Sequence, residues 1–197
     1  LSFRTLDYLK VRVFYARSTV KPFAEYSFDA DSQIYQDAFQ LAETGIRLRY
    51  AYGEDFVETH RGKFSLGTEA PILYGNIIRG IDGLGGDFEY TKYEAAVSGE
   101  INTRNMGKTR FRIEGGYSNG DVPAFNLYRG HGSYGSRFSI YSDNSFATMG
   151  LDEFISERFI SLFWTHNFRS LFWQSKFFNP QIKWVNNLGW GWMKGTK

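Results

Sequence analysis

Strict alternation of side-chain character along several long segments is the feature that most constrains this chain. In TRFRIEGGYS, residues 109–118, the apolar side chains of Phe111, Ile113 and Tyr117 alternate with charged or polar ones. A period of two is typical of a β-strand whose two faces meet different surroundings. The segment therefore predicts a strand with one charged face and one apolar face, and the apolar face meets either a protein core or lipid.

The same alternation recurs along the chain and predicts about eight strands, most of them about 9 to 13 residues long. Their expected positions are residues 3–15, 22–30, 40–52, 61–78, 90–101, 109–118, 152–167 and 181–192. Soluble strands usually have about 5 to 6 residues, whereas a membrane-spanning strand needs about 9 to 11. No segment of helical period is present, so we expect an all-β fold with residues 1–197 as one unit.

Composition agrees with this fold and removes several classes of function. Aromatic residues make up 19% of the chain, with 21 glycines and only 4 prolines, which favours strands joined by turns. Twenty-three basic and 21 acidic residues give a net charge of +2, so we expect no nucleic-acid partner. The absence of cysteine excludes disulfides and thiolate metal sites.

Lipid is the expected neighbour of the apolar faces, so the sequence predicts an antiparallel transmembrane β-barrel. Tyr and Trp side chains fall near the ends of these faces, where the aromatic girdles of such barrels lie. They are Tyr15, Tyr50, Tyr52, Tyr93, Tyr117 and Trp164. The two longest connections, residues 75–89 and 119–151, fall on one side if connections alternate, as in outer-membrane barrels. The alternative is a soluble β-sandwich or β-barrel binding domain, with its apolar faces turned inwards.

In the membrane interpretation, the charged faces of the strands line a polar lumen and supply the candidate binding residues. These are Arg47, Arg49, Lys92, Glu94, Glu100, Arg110, Arg112 and Glu114. Their signs are mixed, so we expect them to pair across neighbouring strands. An arginine on the lipid side costs about 2 to 4 kcal/mol at the bilayer midplane, which favours this facing over the reverse.

Four stretches carry motifs of one family, LRYAYGEDFVETHRGKFSLGTEAPIL, RGIDGLGGDFEYTKYEAAV, GKTRFRIEGGYSNGDVPAFNLYRGHGSYG and FATMGLDEFISERFISLFWTHNF. Over residues 41–192 the chain resembles the C-terminal outer-membrane β-barrel of a Bacteroidota family of unknown function. Members of that family usually carry an N-terminal carboxypeptidase-regulatory-like domain, which is not seen here. The resemblance implies a location in the bacterial outer membrane. The chain also lacks a final strand ending in an aromatic residue, so we expect part of a larger barrel.

A shorter resemblance concerns the residues Ile77, Ile78, Arg79 and Gly80. They are similar to the V-R-G-[FY] loop signature of the surface-antigen barrels that assemble or translocate outer-membrane proteins. The resemblance implies that Arg79 and Gly80 belong to a loop whose arginine reaches into the barrel interior. Ile81 follows the glycine here in place of an aromatic residue.

Candidates for catalysis and metal binding are few. His60, His131 and His166 lack the spacing of a metal motif, so no metal is expected. His131 and Ser133 form an H-x-S pair that resembles the pair used by outer-membrane phospholipases, which keeps a hydrolase as an alternative. Glycines surround the pair, and we expect loop polarity rather than an enzyme. The Gly/Asp-rich stretch 80–87 is expected to be a turn, with loop-bound calcium as the alternative.

The sequence thus predicts a non-enzymatic outer-membrane β-barrel with a structural or transport role in envelope biogenesis, export or uptake. Expected partners are membrane lipid, the lipopolysaccharide of the outer leaflet, and other outer-membrane or periplasmic subunits. No cofactor is expected.

Overall fold

The computed structural model describes residues 2–6, 8–21, 28–30, 33–35, 38–60, 62–103, 106–132, 144–150, 153–169 and 180–193. Strands dominate these residues, which confirms the predicted all-β fold. The helical elements in these ranges are two 3₁₀ turns, Asp82–Leu84 and Ala124–Asn126. Within the same ranges, no helix has the length and hydropathy needed to span a bilayer.

Fourteen strands follow one another along the described parts of the chain. They are β1 (Ser2–Leu6), β2 (Leu9–Val20), β3 (Phe28–Ala30), β4 (Gln33–Tyr35), β5 (Phe39–Ala51), β6 (Asp55–Thr59), β7 (Gly62–Gly67), β8 (Ile72–Gly80), β9 (Tyr90–Thr103), β10 (Gly107–Gly120), β11 (Tyr128–Arg129), β12 (Ile155–Ser156), β13 (Arg158–Asn167) and β14 (Lys183–Trp192). Eight form one antiparallel sheet in the order β1-β2-β5-β8-β9-β10-β13-β14, and the others form three two-stranded pairs.

The sheet has the expected number of strands, but its membership differs from the prediction. The predicted strand 3–15 is two strands, β1 and β2, which pair with each other. The predicted strand 22–30 is described only at Phe28–Ala30, which pairs with β4 and not with the main sheet. Residues 22–27 lie outside the described residues.

The predicted bent strand 61–78 is also wrong, because the chain forms a hairpin before entering the sheet. Gly67 ends β7 with a φ of 104°, and Pro71, which has no N–H to donate, precedes β8. Residues 55–59, expected to be part of a loop, form β6 and pair with β7. This hairpin extends from the end of the sheet at which β5 stops, and we call that end the hairpin end.

Pairing in register sorts the residues of the sheet onto two faces of different character. The middle row of one face runs across seven strands and is apolar throughout: Leu9, Tyr50, Leu73, Val97, Ile113, Leu162 and Leu188. The neighbouring row on the opposite face is mostly polar: Lys10, Arg49, Tyr74, Ala96, Glu114, Ser161 and Gly189. We call these the apolar face and the polar face.

Burial is inverted between the two faces. On the apolar face, Leu73 is 45% exposed and Ile113 is 44% exposed, whereas on the polar face Glu114 is 7% and Ser161 is 5% exposed. Water-soluble proteins bury large aliphatic side chains and leave most carboxylates exposed. The sheet therefore covers much of its polar face and leaves its apolar face uncovered. Lys10, Arg12 and Arg47, on the polar face of β2 and β5, are exposed.

Strands β1 and β14 form the two edges of the sheet. No pairing joins them within the described residues, so the eight strands form an open sheet. The predicted barrel closure is therefore not seen and stays a prediction. β8 connects to β9 through residues 81–89, and β10 leaves the sheet at the same end, which agrees with the expected side of the two long connections. The hairpin of β6 and β7 adds a further long connection at the opposite end.

Candidate functional site

The connection from β10 to β13 folds back over the polar face instead of extending away from the sheet. We call residues 121–132 and 144–150 of this connection the inner segment. The hydroxyl of Tyr128 lies 3.1 Å from the carbonyl oxygen of Tyr93. Farther along, the Asn187 side-chain amide donates to the carbonyl oxygen of Ser145 at 2.7 Å. These contacts place the inner segment across strands β9 to β14.

Glycines in the strands provide the room for the rings of this covered face. Gly116 lies opposite Glu94 on one side and opposite Phe159 on the other. A Cβ at Gly116 would lie 2.9 Å from Cζ of Tyr128, and one at Gly189 would lie 2.6 Å from Cζ of Phe146. Both distances are shorter than van der Waals contact, so only a residue without a side chain lets these rings seat.

Asn126 of the inner segment lies at the centre of a buried hydrogen-bond network. Its amide donates to Glu43 Oε1 at 3.1 Å and to the Tyr90 hydroxyl at 2.5 Å. The Tyr90 hydroxyl in turn donates to Glu43, and the Lys92 ammonium donates to Asn126 Oδ1 at 3.2 Å. One asparagine thus supplies donors to a carboxylate and a phenol and an acceptor to a buried lysine. Lys92 also lies over the Tyr128 ring, 5.0 Å from its centroid.

Aromatic side chains close the polar face at the end opposite the hairpin. The ring of Phe39 lies 5.8 Å from that of Phe88 and 5.2 Å from that of Phe125. Phe39 and Phe88 are buried together with Leu41 and Tyr90. We call this cluster of five residues the aromatic cap, and its end of the sheet the cap end. Because it joins β5, residues 81–89 and the inner segment, it covers the cap end of the polar face.

Glu114 is the buried carboxylate nearest the middle of the polar face. It accepts from Arg112 Nε at 2.7 Å, and His131 Nε2 lies 2.8 Å from its Oε1. The contact with Glu114 raises the pKa of His131 above its ordinary value, against the opposing effects of burial and of Arg112. A protonated His131 therefore links the inner segment to β10 through an ion pair with Glu114.

Tyr128 lies between the Asn126 network and the Glu114 network, and the pKa of its phenol is also perturbed. Burial is the main cause that raises the pKa of the Tyr128 phenol, and the nearby charge of Glu94 adds to it. The phenol is therefore a neutral hydrogen-bond donor at physiological pH.

The eight charged residues predicted to share a lumen do lie on one face of the sheet. The register places Arg47, Arg49, Lys92, Glu94, Glu100, Arg110, Arg112 and Glu114 on the polar face. That this face lines a lumen stays a prediction. Their expected pairing across strands holds for Glu100, which lies 2.5 Å from Lys108 of β10. Arg112 and Glu114 pair on one strand, and Arg49 pairs with Glu54 beyond the strand end.

Arg79 and Gly80 do not form the expected loop. β8 continues through both residues, with Arg79 opposite Thr44 and Thr91, and Gly80 opposite Glu43 and Tyr90. Arg79 shares the apolar face with Ile77 and pairs at 3.0 Å with Glu89, where both side chains are exposed. It does not reach the polar face, so the similarity to the surface-antigen loop does not extend to the structure.

The three histidines occupy separate places. His60 lies in the turn between β6 and β7, His131 lies in the inner segment, and His166 on β13 bonds to Thr109 Oγ1 at 2.7 Å. Ser133, the proposed partner of His131 in a hydrolase, lies outside the described residues. In the part of the chain that the structure describes, no three His, Asp or Glu side chains are grouped closely enough to hold a metal ion.

In the Gly/Asp-rich stretch 80–87, Gly80 ends β8 and residues 81–87 form the expected turn. It contains the 3₁₀ turn Asp82–Leu84, and Gly85 follows with a φ of 79°. The carboxylate of Asp87 accepts from the backbone N–H of Gln40 at 2.7 Å. The polar groups of this turn therefore serve its own attachment to β5.

The inner segment is the main feature that sequence reasoning missed, because residues 119–151 were expected to be an external loop. One signal was present. Phe125, Leu127 and Tyr128 form an apolar group early in this Gly- and Ser-rich connection. Such a group needs a surface to pack against, and the strand glycine Gly116 supplies part of that surface.

Comparison with the sequence profiles of known families gives a match over most of the chain. The sequence profile described as the C-terminal domain of a family of unknown function, DUF5686, matches residues 12–196. None of the curated proteins matches this chain.

Proposed function

We propose a function from geometry, because the chain belongs to the DUF5686 C-terminal domain family, whose function is unknown. The chain forms the wall of a β-barrel in the bacterial outer membrane, as expected of a Bacteroidota-type envelope protein. Its apolar face meets lipid, and its polar face encloses the inner segment. The barrel has a structural or transport role in envelope biogenesis, export or uptake, and it is not an enzyme.

The inverted burial of the two faces is the observation that carries this proposal. Large apolar side chains are exposed in successive rows of the apolar face, among them Leu48, Ile77 and Ile160. An uncovered apolar surface of this extent marks contact with a partner or a membrane. A covered polar face on the same sheet favours the membrane, because transmembrane barrels alternate apolar-out and polar-in.

Aromatic residues at the two ends of the apolar face support the same proposal. Near the cap end, the rings of Tyr93 and Tyr117 are stacked 6.5 Å apart. Near the hairpin end, Trp164 and Trp184 meet edge to face at 5.3 Å. Amphipathic rings in two such belts are typical of the two membrane interfaces. Residues 109–117 of β10 run from one belt to the other. Tyr117 belongs to the first belt, and Thr109 pairs with His166, which in turn pairs with Trp184 of the second belt. The length of this segment fits the about 9 to 11 residues that a strand needs to span a bilayer.

The experiment that tests the proposal measures which face contacts lipid. All five tryptophans are replaced by phenylalanine, and Trp184 is then restored alone. In the matched control, the only tryptophan is introduced as Phe163→Trp on the polar face. With brominated lipids, we expect strong quenching of Trp184 fluorescence and little quenching of the control. Equal quenching, or a native near-UV spectrum in plain buffer without detergent, would show that the sheet does not cross a membrane.

A further inference from the structure

Four basic residues lie at directly opposed positions on the polar face of β2 and β5. Lys10 is paired with Arg49, and Arg12 is paired with Arg47. We call these four residues the basic cluster. Directly opposed side chains have Cβ atoms about 4.5 to 5.5 Å apart, and like charges at such positions are destabilising. The register thus brings together four cations that repel one another.

Little in the described residues compensates for this repulsion. Arg49 is the exception, since two of its guanidinium nitrogens bond to Glu54 at 2.7 and 2.6 Å. Lys10, Arg12 and Arg47 have no carboxylate within salt-bridge distance among the residues that the structure describes. Arg47 instead lies over the Phe14 ring, 4.6 Å from its centroid, with its side chain exposed. Among the residues that the structure describes, nothing neutralises the positive charges of Lys10, Arg12 and Arg47.

The carboxylates elsewhere on the polar face are occupied by other partners. Glu43 bonds to Tyr90 and Asn126, and Glu94 accepts from Asn76 at 2.8 Å. Glu100 pairs with Lys108, and Glu114 pairs with Arg112 and His131. Each acid is thus engaged within its own network. An anion that neutralises the cluster has to come from outside these strands.

Open space beside the cluster gives such an anion a place to bind. One groove of about 380 Å³ is lined by Arg47, Tyr74 and Arg112, among others. A second groove of about 380 Å³ on the hairpin side is lined by Lys10, Arg49 and Lys63. Glu94 and Glu114 also line the first groove and Glu54 also lines the second, and each of these carboxylates has a partner described above. Both grooves border the basic cluster.

We propose that the basic cluster binds a ligand that carries two or more phosphate groups or equivalent anionic groups. Guanidinium groups bind phosphate oxygens with paired hydrogen bonds. Opposed arginines, whose Cβ atoms are about 5 Å apart, suit neighbouring anionic groups of one molecule. The inference deepens the proposed function, since it names the class of ligand met on the polar face. It rests on the proposed function only in placing the cluster inside a membrane barrel, because the strand register alone brings the four basic residues together.

The experiment uses the protein in detergent, with tripolyphosphate as the probe and calorimetry as the measurement. We expect binding that weakens as salt increases. The double variant Arg12→Gln/Arg47→Gln should bind at least tenfold more weakly, while Arg79→Gln, which removes an exposed arginine of the apolar face paired with Glu89, should stay within about twofold. Relief of the like-charge contact should also leave the double variant at least as stable as the wild type at low salt, so a loss of binding cannot be assigned to unfolding.

A competition experiment distinguishes two natural ligands that would both supply phosphate groups, a lipid headgroup and a soluble polyanion. Dihexanoyl phosphatidic acid, a short-chain lipid phosphate, should displace tripolyphosphate if the natural ligand is a lipid headgroup, and should leave it bound if the ligand is a soluble polyanion. Failure of the wild type to bind either compound, or equal binding by the double variant, overturns the anion site. Tryptophan quenching by brominated lipid is read separately. Lost binding with quenching retained rejects the site alone, whereas lost quenching with binding retained rejects the membrane proposal alone.

Discussion

His131 Nε2 lies 2.8 Å from Glu114 Oε1, and this contact joins the inner segment to the middle of the sheet. The two residues are brought together from a connection and a strand. Glu114 accepts a hydrogen bond from Arg112 of the same strand. The His131 ring meets the Phe163 ring of β13 edge to face, with 6.1 Å between the ring centroids. Because histidine is the side chain whose ordinary pKa lies nearest physiological pH, we expect the attachment of the inner segment to depend on pH.

The inner segment should detach more readily as pH rises. The pKa of His131 is raised in the folded protein, so its contribution to stability is fully present below the ordinary histidine value of about 6.5 and is lost as pH rises through the raised value. Hydrogen exchange of residues 121–132, corrected for intrinsic rates, should be slower at pH 6 than at pH 9. His131→Gln should remove this difference, and His60→Gln should keep it. A wild-type protein that behaves like His131→Gln would contradict the assignment.

A side chain at Gly116 should displace Tyr128 and loosen the inner segment. A Cβ there would lie 2.9 Å from the ring, and overpacking of this kind costs about 1 to 3 kcal/mol. Thermal unfolding of Gly116→Val in detergent should show this loss. Gly75→Val is the matched control, because Gly75 lies on the apolar face and has more room. A Cβ at Gly75 would have its nearest neighbour, the Cβ of Leu48, at 3.8 Å. Equal melting temperatures for the two variants would mean that the ring does not seat on Gly116.

Arginine on the apolar face should be costly in lipid. Ile113→Arg is expected to lower the free energy of unfolding by about 2 to 4 kcal/mol if the residue lies near the bilayer midplane. On a face exposed to water, the same change would stay within about 0.5 kcal/mol. Urea unfolding in lipid vesicles distinguishes these values. Ser18→Arg, at an exposed position of the polar face opposite Leu41, is the control and should change stability less. A small effect at Ile113 would argue against lipid contact.

Removal of the Asn126 side chain should destabilise the cap end of the polar face. Asn126→Ala leaves the buried Lys92 ammonium without its amide acceptor and Glu43 without one of its donors. An unsatisfied buried polar group costs about 1 to 3 kcal/mol. Thermal unfolding should show a loss of this size, with faster exchange in residues 121–132. Asn119→Ala, at an exposed position of β10, should leave both unchanged. Protection that survives in Asn126→Ala would place the attachment elsewhere.

The facing of the strands was the most predictable part of the structure. Alternation in residues 109–118 placed Phe111, Ile113 and Tyr117 on one face, and the register of β10 agrees. The prediction succeeded because successive side chains of any extended strand point to opposite faces, which is a property of the local backbone. The same rule placed all eight charged candidates on one face without any knowledge of their partners.

The boundaries of the hairpins were less predictable. In residues 61–78 the alternation continues on both sides of Pro71, so the pattern alone read as one bent strand. The chain instead divides into β7 and β8, because residues 55–59 offer β7 a partner within reach. A pattern of period two predicts which face each side chain takes, but it does not specify which strand pairs with which.

The sequence by itself determined the all-β class, the two-faced strands and the exclusion of disulfides. Only the tertiary structure decided that Arg12 stands opposite Arg47, that His131 meets Glu114, and that a long connection folds inwards onto Gly116. The first set follows from backbone geometry and composition, which act within a few residues. The second set depends on register and on packing between segments far apart in the chain, where shape and charge decide which surfaces meet.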